Sequence, residues 1–164
     1  MKKIIVSMLF LLPLGLGAQE MKIAFVDINE IYDLMPETTV FENQIVSLQQ
    51  QINNSLKELQ DEYVRKYTEF TAQSDSLTDN IRRLKIQEIQ EYELRITNYQ
   101  AASEEDLARK REELFMPIQE KFSKALDSVG EEHGYTIFNP QVFLYRGKGV
   151  IDATELVKAK LGLK

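Results

Sequence analysis

The side chains that could carry chemistry are few and scattered along the 164-residue chain. There is one histidine and no cysteine, so disulfides and thiol chemistry are excluded. His133 stands just before Gly134, where a cation would suit the C-terminal end of a helix; with no second histidine it is a weak metal ligand. The acidic runs Asp61-Glu62 and Glu104-Glu105-Asp106 read as solvated helix surface. No glycine loop that could cradle a phosphate and no nucleophile motif is present. The expectation is therefore a protein without catalytic residues, metal or cofactor, and not an enzyme.

What the sequence does specify is a long scaffold. From Phe41 the apolar residues fall at Phe41, Ile45, Leu48, Ile52, Leu56, Leu59, Tyr63, Tyr67 and Phe70. These are steps of three and four that add to an eleven-residue repeat. Such a repeat stays on one face of a nearly straight helix and does not require a left-handed heptad supercoil. The rhythm breaks over Thr71 to Ser76, small and polar residues that close turns. It resumes less regularly through Ile81, Leu84, Ile89, Tyr92, Ile96 and Tyr99, then settles at Leu107, Leu114, Ile118, Phe122, Ala125 and Val129. A helix this long with one apolar stripe must lie against another helix. Residues 37–133 are thus expected to form a helical-hairpin arm with its tip near 71–77. Folding it about residues 75 and 76 puts Phe70 beside Ile81, Phe41 near Lys110 and Pro36 level with Phe115. Pro117 lies inside the returning helix, where it removes a backbone donor; a kink or local unwinding is expected near Glu113 to Met116, acting either as a hinge or as a passive bend.

The two ends of the chain flank that arm. Lys22 to Asp27 reads as a buried strand, Asp27 with Glu30 as a capping box, and Pro36 both ends the short helix that follows and opens the next. Beyond the cap glycine Gly134 come strand candidates Tyr135–Phe138 and Val142–Tyr145, an apolar pair at Val150 and Ile151, and a last helix capped around Asp152 and Glu155. Residues 19–36 and 134–164 would form one small base. The fold class is α+β, predominantly α: a small β-containing oligomerisation base with a long antiparallel, coiled-coil-like tentacle. A base of this size without disulfides or metal is expected to associate with other copies.

Residues 1–18 read as a secretory signal peptide, with Lys2 and Lys3 before an apolar run too short for a comfortable membrane span, and small residues at its end. Its removal would take the net charge from −6 to about −8, which argues against a nucleic-acid partner. Off the packed stripe, Val46, Val64, Ile86 and Leu94 offer a second, weakly apolar face suited to diffuse contact with unfolded chains. Arg82, Arg83, Lys85 and Arg95 form a modest basic cluster, expected to pair with Glu88 and Glu91 or to touch anionic lipid or acidic clients.

The signal, the opening Lys22-Ile23-Ala24-Phe25-Val26-Asp27, the hairpin, Tyr135-Thr136-Ile137-Phe138, Val142-Phe143-Leu144-Tyr145 and the ending Asp152-Ala153-Thr154-Glu155-Leu156-Val157 together resemble the Skp/OmpH-like periplasmic chaperones. That resemblance implies a homotrimer whose subunits build a shared base, with three tentacles enclosing a cavity. It also implies ATP-independent holding of unfolded outer-membrane proteins in the periplasm. Phe25, Val26, Ile137, Phe138 and Leu144 are then assigned to the base, and Val46, Val64, Ile86 and Leu94 to client contact. The acidic chain departs from the strongly basic character of well-known family members, which weighs against contact with membrane surfaces. A competing expectation is a structural hairpin spacer or adaptor that links components of the cell envelope.

Overall fold

A computed structural model describes residues 21–142, 145 and 147–163. The expected signal peptide lies outside the described residues, as do Phe143 and Leu144 of the second strand candidate.

The apolar opening segment forms strand β1 (Lys22–Phe25), the centre of a three-stranded, wholly parallel sheet of order β2-β1-β3. Strand β2 (Tyr135–Phe138) runs beside it with Lys22 opposite Tyr135 and Phe25 opposite Phe138. Strand β3 (Ile151–Asp152) pairs Ile151 with Ala24. Parallel neighbours need a crossover connection; between β1 and β2 that crossover is residues 26–134, so the whole arm is an insertion between adjacent strands.

Helix α1 (Ile28–Leu34) starts where the Asp27 carboxylate accepts the Glu30 amide at 3.2 Å. The reciprocal half of the expected capping box is absent. The Asp27 amide donates instead to Thr154 Oγ1 at 3.0 Å, and the Glu30 carboxylate takes Lys158 from the far end of the chain. Local capping has been exchanged for a tie between the termini. Pro36 then opens helix α2 (Pro36–Gln73) as its first residue, where its missing N–H leaves nothing unpaired.

Helix α3 (Asp79–His133) returns antiparallel to α2 and ends at Gly134, whose φ of 67° and ψ of 38° supply the left-handed cap. At about 1.5 Å per residue its 55 residues extend for roughly 80 Å. The connection is tighter and later than the break in apolar rhythm suggests. Thr71 to Gln73 stay helical, Ser74–Ser76 form a 3-10 turn, and Leu77 and Thr78 are extended. Tyr63 therefore faces Glu93, Lys66 faces Glu88 and Phe41 meets Phe115 with ring centroids 5.8 Å apart. These pairs centre the fold on residues 77 and 78, so Phe41 stands opposite Phe115 and not Lys110. No unwinding occurs at Pro117: α3 is helical on both sides of it, held just beyond by the buried Ile118 and Phe122.

Seven residues of α3 are buried and none of α2. Ile118, Phe122, Ala125 and Val129 of α3 join Ala24, Val26, Ile31, Met35, Ala153 and Val157 in one core. The last turns of the arm helix thus form a wall of the base, while the rest of the arm is zipped by half-buried side chains together with the buried Ile89, Ser103 and Leu107 of α3. Helix α4 (Thr154–Leu161), begun by the Asp152 carboxylate accepting the Thr154 amide at 2.9 Å, packs against α3 and α1, adds Val157 to the core and ends at Gly162, which adopts φ 74°.

The second strand candidate is corrected at its start. Val142 closes a 3-10 turn (Pro140–Val142) and is exposed, as is Tyr145. Asn139 causes this: its side chain accepts the Gln141 amide at 3.0 Å and its carbonyl accepts the Val142 amide at 3.0 Å. An Asn-Pro pair that satisfies its own backbone this way wraps into a turn. The third strand is supplied by Ile151–Asp152 instead.

Candidate functional site

The arm presents apolar side chains on surface that α2 and α3 do not bury against each other. Val46, Val64 and Leu94 are each more than half exposed and Ile86 is 39% exposed. Val46 and Val64 are eighteen residues apart, five whole turns, and so lie on one line of α2. The four do not converge on a pocket; they are spread along the arm.

Sequence reasoning missed other members of this surface. Val40, Tyr67, Ile81, Leu84 and Met116 are also exposed. Tyr67, Ile81 and Leu84 fall on the apolar stripe of the sequence. At Tyr67 the inward position is taken by Lys66, whose side chain is only 18% exposed and which bridges to Glu88 while lying 5.3 Å from the Tyr92 ring centroid. Near the tip Arg82 is drawn in to donate to the Ser74 carbonyl at 2.6 Å, which leaves Ile81 and Leu84 facing water. The available signal was the five-residue step from Leu84 to Ile89, which a continuous stripe of threes and fours does not contain.

The ion pairs expected within the basic cluster do not form. Glu88 is taken across the hairpin by Lys66, whose hydrogen bond holds the carboxyl below its ordinary range while the lysine is raised in turn. Arg83 donates to the Asn80 side chain at 2.6 Å and Arg95 lies over the Tyr92 ring at 5.1 Å. Tyr63 donates to Glu93 at 2.9 Å, and that bond raises the phenol. The hairpin is therefore stitched at mid-arm by polar groups as well as by its apolar stripe.

In the base, Val26 is fully buried within its own protomer, and Phe25 and Ile137 are half-buried. Phe138 is 38% exposed at the end of edge strand β2; Leu144 lies outside the described residues. Leu34, Val142, Tyr145 and Leu156 add exposed apolar surface to the base that the sequence reading did not single out. Lys158 is buried where it bridges Glu30 of α1 and Glu155 of its own helix, and Lys160 reaches Glu132 of α3. The His133 ring stacks on Tyr135 with centroids 5.2 Å apart, a contact that accounts for its position beside the cap.

Where the arm meets the base, Pro36, Val40, Phe41, Leu114, Pro117 and Ile118 line an open apolar cleft of about 500 Å³. The ion pair between Glu37 and Lys121 spans it and lowers the Glu37 carboxyl, chiefly through the hydrogen bond. Both prolines thus border one cleft even though the hairpin register differs from expectation. Among the described residues no group of three or more His, Asp or Glu is placed to hold a metal, and no helix is long and apolar enough to cross a membrane.

Comparison with protein families gives a match over residues 22–161 to the family described as outer membrane protein (OmpH-like). No curated protein matches the chain.

Proposed function

The chain belongs to the OmpH-like family, and we propose that it is an exported, periplasmic chaperone that holds unfolded outer-membrane proteins without ATP and prevents their aggregation. The observation that carries this reading is the arm itself. Two helices of 38 and 55 residues, apart from the last turns of α3 that enter the base core, are spent on a projection with no buried residue on α2 and with exposed apolar side chains along both helices. A surface of that kind gives weak contacts at many places, which suits a partner with no fixed shape.

The base supplies the other half of the proposal. Edge strands β2 and β3, together with the exposed Phe138, Val142, Tyr145 and Leu156, give a second and third copy something to cover. Phe25, Val26 and Ile137 support that surface from within the protomer. Three arms set on a shared base would enclose a cavity, with Val46, Val64, Ile86 and Leu94 among the client-facing positions. In this reading Pro117 is the point about which the arm splays, the cleft beside it leaving room for the motion.

The test is replacement of Val46, Val64, Ile86 and Leu94 together by serine in the mature protein. The variant keeps the oligomeric mass measured by light scattering and loses much of its suppression of aggregation of a denatured outer-membrane protein. Unchanged suppression would falsify the assignment of these four positions. Stoichiometric binding to one folded envelope protein, with no effect on unfolded chains, would instead identify a structural adaptor.

A further inference from the structure

The outer face of α3 carries a charge pattern that bears on which unfolded chains the arm holds. Leu94, Glu105 and Met116 recur every eleven residues, three turns, and Glu112 lies eighteen residues, five turns, beyond Leu94, so the four share one line along the helix. Glu91, Ala108 and Arg109 border it, Arg109 being paired with Asp106, and all seven are exposed. This line points away from α2, because the buried Ile89, Ser103 and Leu107 mark the opposite side.

The carboxylates on this line are uncommitted. Arg65 and Lys66 on α2, and Arg109, Lys110 and Lys121 on α3, are each held by a carboxylate within the arm. Arg82, Arg83 and Arg95 are engaged by a carbonyl, an amide oxygen and a ring. By contrast Glu42, Glu58, Glu91, Glu104, Glu105 and Glu112 make no ion pair among the described residues. Lys85 and Arg111 also make no ion pair among the described residues, and Arg82, Arg83 and Arg95 keep their charge against neutral partners. On the outer line of α3, however, the unpaired carboxylates are interleaved with apolar side chains and the cation beside them, Arg109, is held by Asp106.

From this we infer that the outer face of α3 is a docking surface for extended polypeptide segments rich in lysine and arginine, with apolar residues between them. The inference rests on the client-holding reading above and narrows the class of client. A second copy of the same face would bring carboxylate against carboxylate, and an anionic lipid surface would be repelled for the same reason. A basic chain gains at both kinds of position: its cations meet Glu91, Glu105 and Glu112, and its apolar residues meet Leu94, Ala108 and Met116. Exposed charges of this kind act mainly on encounter and selectivity, and salt screens them over about 10 Å at 0.1 M.

The test uses the full mature protein and two unfolded polypeptides of equal length and hydropathy, one of net positive and one of net negative charge, with binding followed by fluorescence anisotropy at low and high salt. The basic polypeptide is expected to bind about fivefold more tightly at low salt and to lose most of that advantage at high salt. Glu91→Gln with Glu105→Gln and Glu112→Gln, at exposed sites without partners, is expected to abolish the preference while leaving helicity and oligomeric mass unchanged. Equal, salt-independent binding of both polypeptides, or a preference that survives the triple substitution, overturns the charge assignment and leaves the chaperone reading standing. Binding of neither overturns both.

Discussion

Stability should be concentrated in the base, and a pair of truncations measures the contrast. Phe122 is 5% exposed, sits 5.0 Å from the Tyr32 ring and belongs to the single core that joins α3 to the sheet and α1. Phe122→Ala removes a nearly fully buried ring and leaves a cavity, a change that costs about 3–5 kcal/mol. Leu56 belongs to the half-buried stripe of α2, a helix with no buried residue. Losing roughly half of a leucine's burial costs about 1 kcal/mol, and water can fill the space, so little cavity penalty is added. For a chain of this length each kcal/mol lowers Tm by about 2–4 °C. Phe122→Ala should therefore lower Tm by roughly 6–20 °C and Leu56→Ala by about 2–4 °C. Both are read by far-UV circular dichroism at one fixed protein concentration, because association shifts apparent stability. Equal losses in the two variants would refute the reasoning. It would mean that the hairpin is buried elsewhere in the working assembly, or that the core is not the cooperative unit.

Two further measurements probe the polar ties. Thr154→Val removes the acceptor of the Asp27 amide at a site 3% exposed; leaving that donor unsatisfied costs about 1–3 kcal/mol, seen as a lower urea midpoint, whereas Thr154→Ser should retain most of the stability. For pH, the carboxyls of Glu37, Glu88 and Glu132 lie below their ordinary value near 4.5, mainly because Lys121, Lys66 and Lys160 respectively hydrogen-bond to them. A lowered folded-state pKa stabilises above the unfolded value and is lost as pH falls through the folded one. The urea midpoint should thus be insensitive to these groups from pH 5 to 8 and decline below about 4.5. Lys121→Met should make that acid decline shallower, and an unaltered slope would show that the Glu37–Lys121 pair contributes nothing.

How much of this was legible in the sequence depended on the range of the forces involved. The cap at Asp27, the start at Pro36 and the left-handed stop at Gly134 are set by residues within one turn of each other, and each could be located directly. The α2 stripe could be read as well, because an eleven-residue period confines it to one face. The hairpin register could not, since it depends on two extended residues, Leu77 and Thr78, that follow a polar cluster with no sharp end. Lys66 displacing Tyr67 from the packed face was hidden for another reason: the lysine is drawn inward by Glu88, a partner 22 residues away. The parallel sheet was beyond reach because β3 has two residues, too few for a pattern. The Glu30–Lys158 tie spans 128 residues and replaced a local capping box that looked complete. For the proposed client surface, exposure of Val46, Val64, Ile86 and Leu94 could be inferred from their place off the stripe. The exposure of Leu84 required knowing that Arg82 turns inward.

The topology suggests why such an arm can carry a loosely specified surface. Strand pairing brings Lys22 opposite Tyr135 and Phe25 opposite Phe138, so the base closes on itself whatever lies between. Closing a longer connection costs only about 0.6 kcal/mol per doubling of its length, and the helices inserted there satisfy their own backbone. The core residues Ile118 to Val129 anchor the returning helix, and everything from about Glu42 to Leu107 lies outside that core. Substitutions on the arm surface therefore have little effect on folding, whereas those in the last turns of α3 act on the base directly. The carboxylates and apolar side chains of the outer α3 face can change without endangering the fold, so in the proposed reading client preference is free to vary separately from assembly.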